Sequence, residues 1–253
     1  MTRKHYEVAK IISHTSANGG FSIIADAPQI AAAAKPGQFV MVYLESSKHL
    51  LGRPISLYDV DEAAGTISLD YIVAGAGTEI ISKWQLGHEI KILGPLGNGF
   101  DIKNLSKVAL VGGGIGVAPL YYLAKELFKT GVAIDVYLGF RQEVPKLIRC
   151  FENLVDNITV ATEVGGQNKG YVTDFLPAVP VYDHILSCGP IPMLRALARY
   201  AHSYNIPCQV SVEERMACGL GACKGCVVKA LVGYQLCCQN GPVFDSKEVV
   251  WDE

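Results

Sequence analysis

The pattern of apolar and polar positions changes once along this chain, near residue 104. Before that point short apolar runs alternate with turn residues. Gly20-Phe-Ser-Ile-Ile, Phe39-Val-Met-Val-Tyr-Leu, Thr66-Ile-Ser-Leu-Asp-Tyr-Ile-Val and His88-Glu-Ile-Lys-Ile-Leu are the clearest runs. Pro36-Gly37, Ala63-Ala-Gly65 and Gly94-Pro95 punctuate them. Runs of strand length with breakers between them predict an antiparallel β-barrel or sandwich over residues 1–103.

From 104 to 207 the chain reads as strand–helix alternation. Lys107-Val-Ala-Leu-Val is a continuous apolar strand of the kind buried on both faces. Glycines follow it, then a helical stretch from Pro119 to Lys129 that ends near Gly131, then a strand over Ala133-Ile-Asp-Val-Tyr-Leu-Gly. Further strands are predicted at Ile158–Ala161 and His184–Ser187, with a helix over Leu194–Tyr200. This order predicts a doubly wound parallel α/β domain. Residues 208–253 remain as a small third module.

Charge narrows the partners. With 22 basic and 24 acidic residues the formal net charge is −2, which gives no electrostatic reason to expect nucleic acid. The apolar runs are too short to span a bilayer, so no membrane association is expected. Met1 to Val8 carries positive charge with no apolar stretch behind it. A cytoplasmic location is therefore expected, where eight cysteines point to metal or redox chemistry before disulfides.

Cys150, Cys188 and Cys208 are scattered, while the other five of the eight cysteines crowd into one short stretch, as Cys218-x4-Cys223-x2-Cys226 followed by Cys237 and Cys238. Cys-x4-Cys-x2-Cys with a distant fourth cysteine is the plant-type [2Fe–2S] spacing. Gly219 and Gly221 suit a tight loop whose amides turn toward sulfur. Four-cysteine zinc sites usually show two Cys-x2-Cys pairs, and only one is present here. One member of the Cys237–Cys238 pair is expected to bind iron, because neighbouring side chains project in different directions. Spacing alone does not choose between them.

The central glycines suggest a dinucleotide. Gly112, Gly113, Gly114 and Gly116 lie between a strand and a helix, where backbone amides can hold a pyrophosphate. The strict G-x-G-x-x-G spacing is not met, since Val117 and Pro119 occupy the last position in the two possible registers. A plain tight turn between strand and helix would also use these glycines. Cys188, Gly189 and Pro190 form a second turn after the strand at 184–187, so the two turns could frame one crevice. Cys188 there is either a nicotinamide neighbour or a small buried residue. Asp135 is not clearly placed as a ribose acceptor, and Arg141 could meet a 2′-phosphate.

In order along the chain, Arg53-Pro-Ile-Ser56, Gly75-Ala-Gly-Thr78, Gly112 to Pro119, Cys188-Gly-Pro and the C-terminal cysteines resemble the ferredoxin–NAD(P)+ reductase superfamily. The cluster setting Glu213-Glu-Arg-Met-Ala-Cys218 and the ending Cys238-Gln-Asn-Gly-Pro-Val-Phe244 narrow the likeness. They resemble the electron-transfer subunits of class 1B dihydroorotate dehydrogenases. The resemblance implies FAD on the β domain, NAD on the α/β domain and a [2Fe–2S] cluster at the end. Arg53 would meet the FAD pyrophosphate, and Ser56 would lie by the isoalloxazine, with Pro54 and Ile55 in the same motif. Asp70, Tyr71 and Ile72 would form a second FAD-contacting strand, and Gly77 and Thr78 a turn against the diphosphate. On residues alone Arg53 could equally be a surface charge and Tyr71 a core aromatic.

The same resemblance makes Cys238 the fourth cluster ligand. It also implies a catalytic partner bearing FMN, in a heterotetramer of two chains of each kind. Electrons would pass from FMN through [2Fe–2S] and FAD to NAD+ during pyrimidine biosynthesis. No acid, base or nucleophile is required of this chain. Related flavin/iron–sulfur subunits, of a bifurcating NADH-dependent ferredoxin:NADP+ oxidoreductase or a sulfide dehydrogenase, share the plan. A zinc-binding module on a degenerate reductase fold is the alternative outside redox chemistry.

Overall fold

The structure, a computed structural model, describes residues 3–17, 19–45, 48–142 and 148–251. β1 (His5–Ala17), β2 (Gly20–Asp26), β3 (Phe39–Tyr43), β4 (Arg53–Ser56), β5 (Asp59–Asp61), β6 (Thr66–Tyr71) and β7 (Glu89–Leu96) make one curled antiparallel sheet. Their order is β4-β3-β7-β1-β2-β6-β5. Alternation sends Ile23, Ala25, Ile67, Leu69, Ile90 and Ile92 into a common core. Two six-residue helices, α1 (Pro28–Ala33) and α2 (Ala76–Ile81), close it with Ile30 and Ile81. They are too short to show a helical period in the sequence. Buried Glu7 anchors α1, its Oε1 accepting from the Ile30 amide at 2.7 Å.

Gly94-Pro95, read from sequence as a turn, lies inside β7. The register between β3 and β7 slips there, between Phe39 and Met41. A bulge is where a strand tolerates the missing proline N–H. Gly94 is also required by contact, since a Cβ on it would come within 2.6 Å of Val40 Cγ1.

The second unit runs β8 (Lys107–Gly113), α3 (Ala118–Lys129), β9 (Ala133–Phe140), α4 (Ile148–Phe151), β10 (Asn157–Thr162), β11 (His184–Cys188), α5 (Ile191–Ser203) and β12 (Cys208–Ser211). These strands are parallel in the order β10-β9-β8-β11-β12. Val108 to Val111 are fully buried, as a strand covered by helices on both faces requires. Strand order reverses between β8 and β11, so the crevice at their carboxyl ends is the expected ligand position.

The parallel sheet continues past residue 207. β12 extends it, and β15 (Val243–Asp245) returns antiparallel beside β12. Cys208-Gln-Val-Ser is too short and too mixed to announce a strand. Between them β13 (Val227–Ala230) and β14 (Gly233–Leu236) form a hairpin. A single apolar core joins all three parts. Phe39, Met41 and Leu96 of the first sheet meet Val111 and Val210 of the second, together with Cys226, Cys237, Cys238 and Phe244. Among the described residues no helix is long and apolar enough to cross a membrane.

One polar network lies within the α/β unit. Asp135 on β9 is buried, and its Oδ1 accepts from Asn157 Nδ2 at 2.6 Å. Its Oδ2 accepts from the Tyr182 hydroxyl at 3.0 Å and faces Lys107 Nζ at 3.3 Å. Tyr182 has one hydroxyl proton, so Tyr137, at 2.8 Å, donates to Tyr182. Burial alone would raise the Asp135 carboxyl. The bonds from Asn157, Tyr182 and Lys107 outweigh it and hold the group below the ordinary aspartate value. A depressed folded-state value stabilises the fold above the unfolded-state value and is lost as pH falls through the folded one. Asp135→Asn is thus expected to lower stability by about 1.5–3 kcal/mol at neutral pH. Denaturant melts should show the gap between variant and wild type closing as the pH drops below about 4.

Candidate functional site

Two adjoining cavities open where the first sheet, the glycine turn and the C-terminal segment meet. The inner one, of about 290 Å³, is lined by Pro54, Ile55, Ser56, Asp70, Tyr71, Ile72 and Thr78 from the β domain. Ile115, Ala118 and Pro119 face them from the start of α3, and Glu213 and Met216 from the segment leading to Cys218. The outer cavity, of about 880 Å³, carries Arg53 with Lys48, His49, Leu51 and Arg215.

Seven of the nine residues expected at FAD therefore line the inner cavity, and Arg53 lines its neighbour. Gly77 sits under Arg53, where a Cβ would lie 2.0 Å from Arg53 Nε. The guanidinium also donates through Nη1 to the Leu51 carbonyl. Thr78 Oγ1 holds the turn, accepting from the Ala74 amide at 2.9 Å and donating to the Gly75 carbonyl at 3.0 Å. A planar donor fork at the wall of a cavity that also carries Lys48 and Arg215 suits a pyrophosphate. The inner cavity combines apolar side chains with the Ser56, Tyr71 and Thr78 hydroxyls and the carboxylates of Asp70, Glu213 and Glu214, a mixed lining that suits the apolar and polar edges of a flavin ring, so the residues fit FAD.

His14 belongs to this site although nothing in the sequence marked it. Its Nδ1 lies 2.9 Å from the Trp84 carbonyl, so that nitrogen carries the proton. Nε2 is then the acceptor for the Tyr71 hydroxyl at 3.0 Å. Phe21 completes a three-ring cluster with them, its centroid 5.7 Å from that of Tyr71 and 5.6 Å from that of His14. Only the pairing of β1 and β6 across β2 brings these residues together.

A third cavity, of about 520 Å³, lies at the carboxyl ends of β8, β9 and β10. Gly113, Gly114 and Pro190 line it, with Gly139, Arg141, Glu163, Tyr171 and Met193. Gly116 and Gly113 also permit close approach of the two turns. A Cβ on Gly116 would lie 2.7 Å from Gly189 Cα, and one on Gly113 would lie 2.7 Å from Met193 Sδ. Their absence of side chains lets the 188–190 turn close on the first turn. Gly114 has φ +57° and open space beside it. Gly112 and Cys188 are buried beneath these turns, and burial pushes the Cys188 thiol up to about 12. Asp135 sits toward the opposite end of β9, within its own network. The open glycine loop and mixed lining fit the phosphates and adenosine of a dinucleotide.

The cysteines divide into pairs. The Cys223 amide donates to Cys218 Sγ at 3.4 Å, and the Cys238 amide to Cys226 Sγ at 3.4 Å. The Leu220 amide also faces Cys218 Sγ at 3.4 Å, and the Gly221 amide faces Cys238 Sγ at 3.1 Å. Burial opposes ionisation of Cys218, yet the amides of Cys223 and Leu220 draw its thiol down to about 6. Cys237 turns away, fully buried, with Sγ donating to the Val212 carbonyl at 3.1 Å. Among the described residues no three His, Cys, Asp or Glu side chains are set to hold one metal ion. A single zinc would need its thiolates to converge. A two-iron cluster needs two thiolates at each iron. The paired arrangement fits the latter.

Comparison with known proteins agrees with this geometry. Residues 213–250 match the model of the iron–sulfur cluster binding domain of dihydroorotate dehydrogenase B. The dihydroorotate dehydrogenase B (NAD(+)) electron transfer subunit of Clostridium acetobutylicum is 45% identical over 222 residues, 87% of each chain. That of Shouchella clausii is 36% identical and covers 98% of this chain and 99% of its own. The chain belongs to the family of dihydroorotate dehydrogenase B electron transfer subunits. Among solved structures, that of an NADH-dependent reduced ferredoxin–NADP oxidoreductase superposes with a TM-score of 0.86 at 30% identity. It covers 97% of this chain and 91% of the solved one. This chain therefore has a ferredoxin-reductase-like fold with a C-terminal iron–sulfur module.

Two sets of variants follow from the site. Cys237→Ser is expected to keep iron and labile sulfide at wild-type amounts after anaerobic purification, and Cys238→Ser to lose most of both. The opposite pattern would move the ligand role to Cys237. Gly77→Ala should weaken FAD binding by about 1.5–3 kcal/mol, as Arg53→Ala does, because both remove the same charged hydrogen-bond partner. The double variant should be no worse than either single one when FAD affinity is titrated.

Proposed function

We propose that this chain is the NAD-reducing half of a dihydroorotate dehydrogenase B, taking electrons from an FMN-bearing catalytic chain in a complex of two chains of each kind. Arg53 and the Gly75–Thr78 turn would hold the FAD diphosphate, with Ser56, Tyr71 and Thr78 around the flavin ring. The third cavity would take the adenosine and phosphates of NAD(H), and the nicotinamide would reach the flavin past Ile115 and Pro119. Cys218, Cys223, Cys226 and Cys238 would hold the cluster. Residues 1–103 would serve FAD, 104–207 NAD and 208–253 the cluster, with β12 and β15 of the last completing the sheet of the second and one apolar cluster spanning all three.

The observation that carries this reading is the placing of Met216. It lines the flavin cavity and stands two residues before Cys218. Phe39 lines the same cavity and packs in the core that contains Cys226 and Cys238. FAD exchanges a hydride with nicotinamide and single electrons with a cluster, so it belongs between the two. The residues here do no acid–base work. They hold the groups in that order and bury the space between them.

A second reading, as the subunit of a bifurcating oxidoreductase, is favoured by the 30% identical structure. The named relatives, 45% and 36% identical, favour the first. The test is to purify the chain loaded with FAD and cluster. It should oxidise NADH with a one-electron dye and leave dihydroorotate untouched until the FMN chain is added. Dihydroorotate oxidation by the isolated chain overturns the proposal, as does inertness to NADH in a fully loaded chain. Activity restored only by a ferredoxin:NADP+ oxidoreductase partner supports the second reading.

A further inference from the structure

We infer that Glu163 decides which nicotinamide dinucleotide this chain accepts, by holding in check an arginine that would otherwise bind a 2′-phosphate. The inference rests on the reading of the third cavity as the adenosine site. Among the described residues lining that cavity, Glu163 is the only carboxylate and Arg141 the only cation. Both are exposed.

Their opposition is built by strand register. β9 and β10 are parallel neighbours with Phe140 opposite Thr162, so Arg141 and Glu163 are the next positions beyond the two strand ends. The ladder continues through them, the Glu163 amide donating to the Phe140 carbonyl at 3.1 Å and the Val164 amide to the Arg141 carbonyl at 3.0 Å. Two opposite charges therefore leave adjacent chain ends over one ligand space.

NAD presents a 2′,3′-diol at this end of the molecule, and NADP presents a 2′-phosphate. A carboxylate accepts hydrogen bonds from a diol and repels a phosphate, whereas a guanidinium fork matches the phosphate. Asp135, the acidic residue nearest the usual distance after the glycine turn, cannot serve. It lies five residues before Phe140, about 17 Å along the strand, with its oxygens engaged by Asn157 and Tyr182. Among the described residues, Glu163, on the neighbouring strand end, is left as the carboxylate that can read the ribose. The same charge offsets Arg141, so the cavity favours the diol although an arginine is present.

The test uses the chain loaded with FAD and cluster, and two fragments of the adenosine half, 5′-AMP and 2′,5′-ADP. Calorimetry on wild type, Glu163→Gln, Arg141→Ala and the double variant gives affinities independent of electron transfer. NADH and NADPH kcat/KM with a dye acceptor give the second readout. Glu163→Gln is expected to tighten 2′,5′-ADP and raise NADPH kcat/KM by roughly tenfold or more. The double variant should lose that gain, because Arg141 supplies it. Glu163→Ser should act in the same direction as Glu163→Gln. An unchanged preference in both Glu163 variants, each retaining FAD, overturns the assignment of Glu163. A gain that survives loss of Arg141 overturns the proposed restraint on the arginine. If wild type binds neither fragment and oxidises neither dinucleotide, the reading of the cavity itself fails.

Discussion

The arrangement depends on one packing contact, the seat of the cysteine loop on the outer face of the first sheet. Gly219, at φ +68°, lies against Met41 and Leu96, where a Cβ would fall 2.6 Å from Met41 Cγ. Met41 and Leu96 are fully buried there, and Phe39 beside them lines the flavin cavity. Leu, Ile or Met to Ala changes at such sites typically cost about 2–5 kcal/mol. Here the same burial also sets the spacing between two cofactor sites, so stability and electron transfer draw on the same atoms.

A second, independent contact holds the two sheets together away from the cysteines. Lys125 on α3 reaches Asp59 on β5 at 2.7 Å and the Val60 carbonyl at 3.1 Å. Tyr121 stacks on Tyr58 with centroids 4.8 Å apart, and the Tyr122 hydroxyl donates to the Ala34 carbonyl at 3.2 Å. The ion pair is partly solvated and by itself worth at most about 1 kcal/mol. The aromatic burial around it carries more. The β domain is thus joined to the α/β unit by two separate sets of contacts, one at the cysteine loop and one along α3.

What could be read from sequence was local. Lys107–Val111 announced itself as a strand because it is buried on both faces and is continuously apolar. The Cys218–Cys226 spacing spoke for a cluster because its loop is closed by nearby glycines. What stayed hidden depends on pairing across the chain. His14 meets Tyr71 only through β2, and β15 joins β12 only after the hairpin returns. The sequence left Asp135 unplaced as a ribose acceptor, and its withdrawal into the Tyr182 network is invisible without the neighbouring strands. Spacing could not separate Cys237 from Cys238. A carbonyl 25 residues earlier, that of Val212, engages Cys237.

The hairpin between the third and fourth cysteines separates ligand geometry from loop length. Its base is tied by the Cys237 amide to the Cys226 carbonyl at 2.8 Å, next to the cluster site. Its tip, Leu231 and Val232, stands in solvent. Residues added or removed in cross-strand pairs near the tip lengthen or shorten the arm without changing which face each base residue presents. The length of the arm is thus uncoupled from the positions of Cys226 and Cys238 at its base.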